Sequence, residues 1–223
     1  MSGSIRRRLP LLLALALAAC DAPTVPAPVG AYPFALQTPS GDLVMRWAPG
    51  STVRVYVVPG GGAGANLSRA LSAAVPTWNA TALLGEFRLE AAARPADADA
   101  VLAGSDTPLP VDIGSCPPTL DGLAVTTFCL TADQRSLQTF PLTGGNAGPS
   151  HVVFVVTVLP SVASDPATAQ RVVAHELGHV LGIARHSTSA ADLMFATPVV
   201  ERPSAADAAT AQQLYHTPAT VVP

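Results

Sequence analysis

The stretch His175-Glu176-Leu177-Gly178-His179-Val180-Leu181-Gly182-Ile183-Ala184-Arg185-His186 decides how the rest of this 223-residue chain is read. Three of the five histidines fall inside it. From the chain's own composition, the five fixed positions of H-E-x-x-H-x-x-G-x-x-H would arise by chance in roughly one in 10⁵ to 10⁶ such sequences. On a helix, residues four apart project from one face, one turn apart. His175 and His179 can therefore present two imidazole nitrogens to one Zn²⁺ at about 2.0–2.1 Å. Gly182 tolerates a left-handed backbone, so the helix can stop there and the chain turn. That turn brings His186 round as a third ligand. Three neutral ligands leave a fourth position for water, which marks a catalytic rather than a structural zinc site. Glu176 can lean toward that position and act as general base. Two plainer readings stand beside this one: a helix of satisfied histidines without metal, and a zinc site that has lost activity.

The flanking pattern agrees with a helix. Ala169, Val173, Ala174, Leu177, Val180 and Leu181 make one apolar face through the motif, beginning after Asp165. Further upstream, residues 52–58 are rich in β-branched side chains and end at Pro59-Gly60, which predicts a strand. The run from Gly60 to Ala65 lacks the Lys-Ser/Thr end of a phosphate-binding loop and reads as a connector. A helix is predicted over 66–81, with Leu67, Ala70, Leu71, Ala74 and Trp78 as core, and Pro76 predicts a kink or an early end. Further strands are predicted at 86–91, 99–103, 123–130 and 151–159, the last nearly continuous in apolar residues and therefore buried. A final helix is predicted over 204–215, with Ser204 as N-cap and Asp207 three residues on. The order strand, helix, three strands, strand, helix, helix makes the fold class α+β, an α/β sandwich rather than an alternating βαβ array.

Length suits one domain, and 49% apolar residues suit a packed globule. Aromatics are only 5%, so that core is built from small aliphatics. There is no lysine, and the net charge is −3, falling to −6 without Arg6, Arg7 and Arg8. No basic patch of the kind that neutralises phosphates follows, which argues against nucleic-acid binding.

Arg6-Arg7-Arg8 and the apolar run from Leu9 to Leu17 have the form of an export signal, too short for a permanent span of about 20 residues. Leu17-Ala18-Ala19-Cys20 resembles a bacterial lipobox, which would make Cys20 the lipid-modified N-terminus of an envelope protein. An ordinary secretory signal is the alternative, and the membrane of the anchor is open. The expected organisation is a lipoprotein signal at 1–19, a Pro/Ala-rich tether at 20–41 and one domain at 42–223. In an oxidising compartment Cys116 and Cys129 are most simply a disulfide, worth roughly 3 kcal/mol in the chain-entropy model. A thiolate capping the zinc to hold the enzyme latent is the competing idea.

The motif resembles that of the metzincin zinc metalloproteases, and within them the matrixins. In that clan a methionine follows in a tight turn beneath the metal, and Met194 in Leu193-Met194-Phe195 matches it. Ser187 after the third histidine, Ala206-Asp207…Leu214-Tyr215, Trp78 and Ala98-Asp99-Ala100-Val101-Leu102 are also similar. The likeness extends weakly over residues 43–217 and is highly specific only over 175–195. It implies a twisted, mixed five-stranded sheet with an N-terminal helix, an active-site helix and a C-terminal helix. It also implies a zinc-dependent endopeptidase, acting through a zinc-bound water and Glu176, with His175, His179 and His186 on the metal. Peptide or protein substrate would add to an edge strand at 123–130, and Phe195-Ala196-Thr197-Pro198 would wall a side-chain pocket. A non-catalytic zinc-binding envelope lipoprotein and a hydrolase of small amides or cell-wall peptides are the alternatives. The animal enzymes' second zinc, propeptide and cysteine switch have no counterpart residues here. His151 reads as a strand-end or core histidine and His216 as a surface one. Calcium is possible through Asp97, Asp99, Asp106, Asp112 and Asp121, although no loop motif groups them. The protein is expected to be a monomer.

Overall fold

β-Branched and small aliphatic residues build the centre of a five-stranded sheet in the computed structural model, which describes residues 30–114, 116, 120, 122–143 and 152–223. The elements are β1 (Leu36–Thr38), β2 (Gly41–Leu43), β3 (Ser51–Val57), α1 (Gly61–Asn79), β4 (Phe87–Ala91), β5 (Ala100–Gly104), β6 (Ala124–Thr127), β7 (Phe154–Val158), α2 (Pro160–Ser164), α3 (Pro166–Val180) and α4 (Ala205–His216). The sheet order is β4-β3-β5-β7-β6. Neighbouring strands are parallel from β4 through β7, and β6 alone runs antiparallel, against β7, at one edge. The mixed five-stranded sheet and the α+β class are therefore as expected. β1 and β2 form a separate antiparallel hairpin.

Every residue of β5 and β7 is buried, as central parallel strands covered on both faces require. Alternate residues of β5 feed two cores. Ala100 and Leu102 join the main cluster with Leu67, Leu71, Trp78 and Leu177, beneath α1 and α3. Val101 and Ala103 face the other way, onto Val58, Val111 and Phe140. Each fully buried Leu or Phe in these clusters contributes about 1.5–3 kcal/mol. The two long helices are locked by a buried hydrogen bond, from Trp78 Nε1 to the Ala174 carbonyl at 2.7 Å. Trp47 does the same at the end of α3, donating to the Val180 carbonyl at 2.8 Å.

Several expectations are corrected. Helix α1 starts at Gly61, so the glycine run is its first turn and not a connector. The small residues let this turn fold back on β3: a Cβ on Gly64 would lie 3.2 Å from the Val58 carbonyl oxygen. The helix also runs through Pro76 to Asn79. Pro76 and Ser72 are on its solvent face, where water can take up the carbonyl that the proline nitrogen does not bond. Strand β6 is four residues long, and Leu130 leaves the sheet to bridge Leu137. The short helix α2 was not foreseen.

Residues ahead of Asp42 also pack on the fold. Phe34 is buried, its carbonyl accepts from Ala184 N at 2.8 Å, and Tyr32 packs on α4. The expected signal segment and Cys20 lie outside the described residues, as do His151 and Asp121. Among the described residues no helix is long and apolar enough to cross a membrane.

Candidate metal centre

Helix α3 is delimited by local chemistry. Asp165 caps its first turn, accepting from Thr168 N at 3.1 Å, and Pro166 stands where no amide donor is needed. At the other end Gly182 has φ +109°, Gly182 N bonds the His179 carbonyl, and Ile183 N bonds the Gly178 carbonyl. This pair of bonds is the Schellman ending that a left-handed glycine permits. A side chain at Gly182 would overlap the Met45 carbonyl oxygen, so the position is closed to other residues twice over.

Between these ends, His175 and His179 present their Nε2 atoms to each other at 3.1 Å. The turn after Gly182 returns His186, whose ring centroid lies 5.2 Å from that of His175 and 5.1 Å from that of His179. One nitrogen from each ring lies within 4.8 Å of the other two, and among the described residues this is the group able to hold a metal ion. His175 is buried, and His186 is exposed at the mouth of the site.

The backbone sets the tautomers. His175 Nδ1 donates to the Leu193 carbonyl at 2.8 Å, and His179 Nδ1 donates to the Ile183 carbonyl at 2.6 Å. A carbonyl can only accept, so both Nδ1 atoms carry the proton and both Nε2 atoms carry lone pairs. Burial, and then the charges of His179 and His186, holds His175 down to about 3. His179 is lowered by burial too, and His186 by desolvation and then by His179. Two lone pairs facing each other at 3.1 Å repel unless a cation lies between them. Two nitrogens on one tetrahedral zinc are about 3.3 Å apart, so the observed spacing fits such an ion.

Glu176 follows His175 and is 5% exposed. Burial raises its carboxyl to about 7, against the Thr126 hydroxyl and the His186 charge, which both lower it. Thr126 Oγ1 donates to Glu176 Oε2 at 2.6 Å. The two residues line a cleft of about 670 Å³ together with the three histidines. Leu123 to Thr126 form one wall of this cleft, and Ala196, Thr197 and Pro198 form part of the rest.

Met194 is fully buried and packs against the motif helix at Gly178. A Cβ on Gly178 would overlap its Sδ and reach within 3.0 Å of Trp78, so glycine there is what lets the methionine approach the helix. The turn carrying Met194 is held from several sides. Ser187 N donates to the Met194 carbonyl at 2.8 Å. Leu193 N and Met194 N both donate to the Asp207 carboxylate, at 2.7 and 3.2 Å. Asp207 also takes Ser204 N in the capping box and the Tyr32 hydroxyl at 2.5 Å.

The remaining site residues have their own places. Cys116 and Cys129 are joined, with Cα atoms 6.1 Å apart, so the disulfide is present. His216 is exposed, as expected for a surface histidine, and its Nε2 lies 3.3 Å from the carboxylate of the buried Glu86. Asp97 pairs with Arg94, Asp99 accepts from Arg54 N, and Asp112 accepts from Gly114 N. Sequence reasoning missed Thr126 and Gly178, and for Asp207 it gave a helix cap and a family likeness but not the bonds to Leu193, Met194 and Tyr32. No residue type at those positions signals a partner that distant in the chain.

Fold and site together define an α+β protein with a three-histidine centre able to hold a metal ion and compatible with zinc. No protein-family model matches the chain, and a search of curated proteins also finds no match.

Proposed function

We propose that this protein is an extracytoplasmic, zinc-dependent metalloendopeptidase of the metzincin type, matrixin-like and anchored through a lipid on Cys20. The observation that carries the reading is the pair of lone pairs on His175 and His179, 3.1 Å apart, beside a buried carboxylate that opens on a cleft. Zn²⁺ held by His175, His179 and His186 would polarise a substrate carbonyl and acidify a water molecule. Glu176 takes the proton of that water as its oxygen bonds to the carbonyl carbon. It then gives the proton to the nitrogen as the carbon–nitrogen bond breaks. Edge strand β6 has one side paired with β7, and its other side offers main-chain groups to an extended peptide. Ala196, Thr197 and Pro198 bound the space for one substrate side chain.

The test is turnover of a quenched peptide library by the zinc-loaded protein, compared with Glu176→Ala. Cleavage by the wild type, and loss of about 10³-fold or more in a variant that still binds zinc, is expected. Zinc binding without cleavage in the wild type would instead favour a non-catalytic lipoprotein. Cleavage of muropeptides but not proteins would move the substrate class to cell-wall peptides.

A further inference from the structure

We propose that Thr126 is a positioning residue for Glu176, its hydroxyl holding one carboxylate oxygen so that the other is presented to the cleft. The proposal rests on the peptidase reading above and adds to it a residue outside the histidine motif. Thr126 Oγ1 donates to Glu176 Oε2 at 2.6 Å, across 50 residues of sequence. Among the described residues no hydrogen bond to Oε1 is formed, and Glu176 lines the cleft. The carboxylate is thus tied at one end and open at the other.

The backbone of Thr126 is placed by pairing with Val156 in the β6–β7 ladder. The other residues that follow the same alternation along this segment, Ala124 and Phe128, are apolar and also line the cleft. Of these three positions, only 126, opposite the glutamate, carries a hydroxyl. An untied glutamate has three side-chain torsions to settle, and a carboxylate turned away from the attacking water cannot take its proton. A hydroxyl on the strand that would receive substrate removes that freedom.

The experiment compares Thr126→Val, which keeps shape and β-branching but lacks the donor, with Thr126→Ser, which restores it. Zinc affinity should stay at the wild-type value in both, and the melting temperature of Thr126→Val should fall modestly with the lost hydrogen bond while Thr126→Ser keeps it. In Thr126→Val, kcat should fall by about tenfold to a hundredfold with KM within about threefold, and Thr126→Ser should recover most of the loss. A rise in KM with kcat intact would overturn the proposal in favour of a substrate contact.

A second measurement does not need turnover. The chain has four glutamates, Glu86, Glu90, Glu176 and Glu201. In zinc-loaded protein labelled with ¹³C at the glutamate carboxyl, the signal lost in Glu176→Gln identifies Glu176. Thr126→Val should displace that signal alone, and Thr126→Ser should leave it in place. An unmoved signal in Thr126→Val overturns the proposal. A wild type that cuts no peptide while Thr126→Val moves the signal overturns the peptidase reading instead.

Discussion

The carboxylate of Asp207 accepts the backbone N–H of Leu193 at 2.7 Å, and the carbonyl of that same Leu193 accepts from His175 Nδ1 at 2.8 Å. One residue therefore separates the C-terminal helix from a candidate metal ligand. The arrangement fixes which nitrogen of His175 bears its proton and how the ring is turned. Partners of this kind, behind the ligands, typically govern metal affinity by 10- to 100-fold.

Asp207→Asn tests the relay. The amide keeps one acceptor oxygen and turns its N–H donors either toward Leu193 N and Ser204 N or toward Met194 N and the Tyr32 hydroxyl, which are donors already. Zinc affinity, measured by chelator competition, should fall by about 10- to 100-fold. Stability in a thermal melt should fall by about 2–4 kcal/mol, because the lost bonds are charge-assisted and buried. Unchanged zinc affinity in a folded variant would show that the relay does not reach the histidines.

Gly178 and Met194 should be coupled, since a side chain on the glycine meets the methionine sulfur. Gly178→Ala is expected to cost about 1–3 kcal/mol by overpacking against Met194 and Trp78. Met194→Ala opens space at the same point. The double variant should therefore be more stable than the sum of the singles, by roughly 0.5–3 kcal/mol. Strict additivity in urea unfolding would show that the two side chains do not share the space.

Much of the site was legible because it is local. The four-residue spacing of His175 and His179, the stop at Gly182 and the Ser204–Asp207 cap each depend on neighbours within one or two helical turns. Local chemistry reads well from a single sequence, and so do long buried strands such as β7. What was not legible is contact at a distance: Thr126 with Glu176, Tyr32 with Asp207, Gly178 with Met194. Tyr32 lies in a Pro- and Ala-rich stretch that reads as a tether, and only the packing of α4 shows why an aromatic residue stands there. The glycine run before α1 misled for a related reason. Its composition says connector, while the chain is helical there and Gly64 lies close to Val58 and Pro59.

Metal binding and stability should be linked. Three nitrogens converge, those of His175 and His179 with their lone pairs fixed by backbone carbonyls, and should give the folded chain an affinity for zinc that the unfolded chain lacks. Zinc at about 1,000 times its dissociation constant should add about 4 kcal/mol, and a strong chelator should remove it. Elemental analysis should give a single zinc per chain, lost in His186→Ala. Two tightly held ions per chain would mean that a second site exists beyond the histidine cluster.

The last expectation concerns alkaline pH and follows from Tyr32 and Tyr215. Burial, and then the Asp207 charge that its hydroxyl faces, pushes Tyr32 far above the ordinary phenol value. Burial does the same to Tyr215, whose hydroxyl donates to the Leu181 carbonyl at 3.1 Å. A raised folded value means that the native state keeps its proton when the unfolded chain has begun to lose it. The stabilisation is therefore complete below about pH 10 and is lost as pH rises beyond it. The slope is about 1.4 kcal/mol per pH unit for each buried phenol. Urea midpoints should fall steeply between about pH 10 and pH 11, with tyrosinate absorbance appearing as the chain unfolds. In Tyr32→Phe the overall stability is lower, because the hydrogen bond to Asp207 is gone, but the alkaline slope is shallower by one phenol's share. An unchanged slope would mean that Tyr32 ionises in place and that its hydroxyl is not sealed against Asp207.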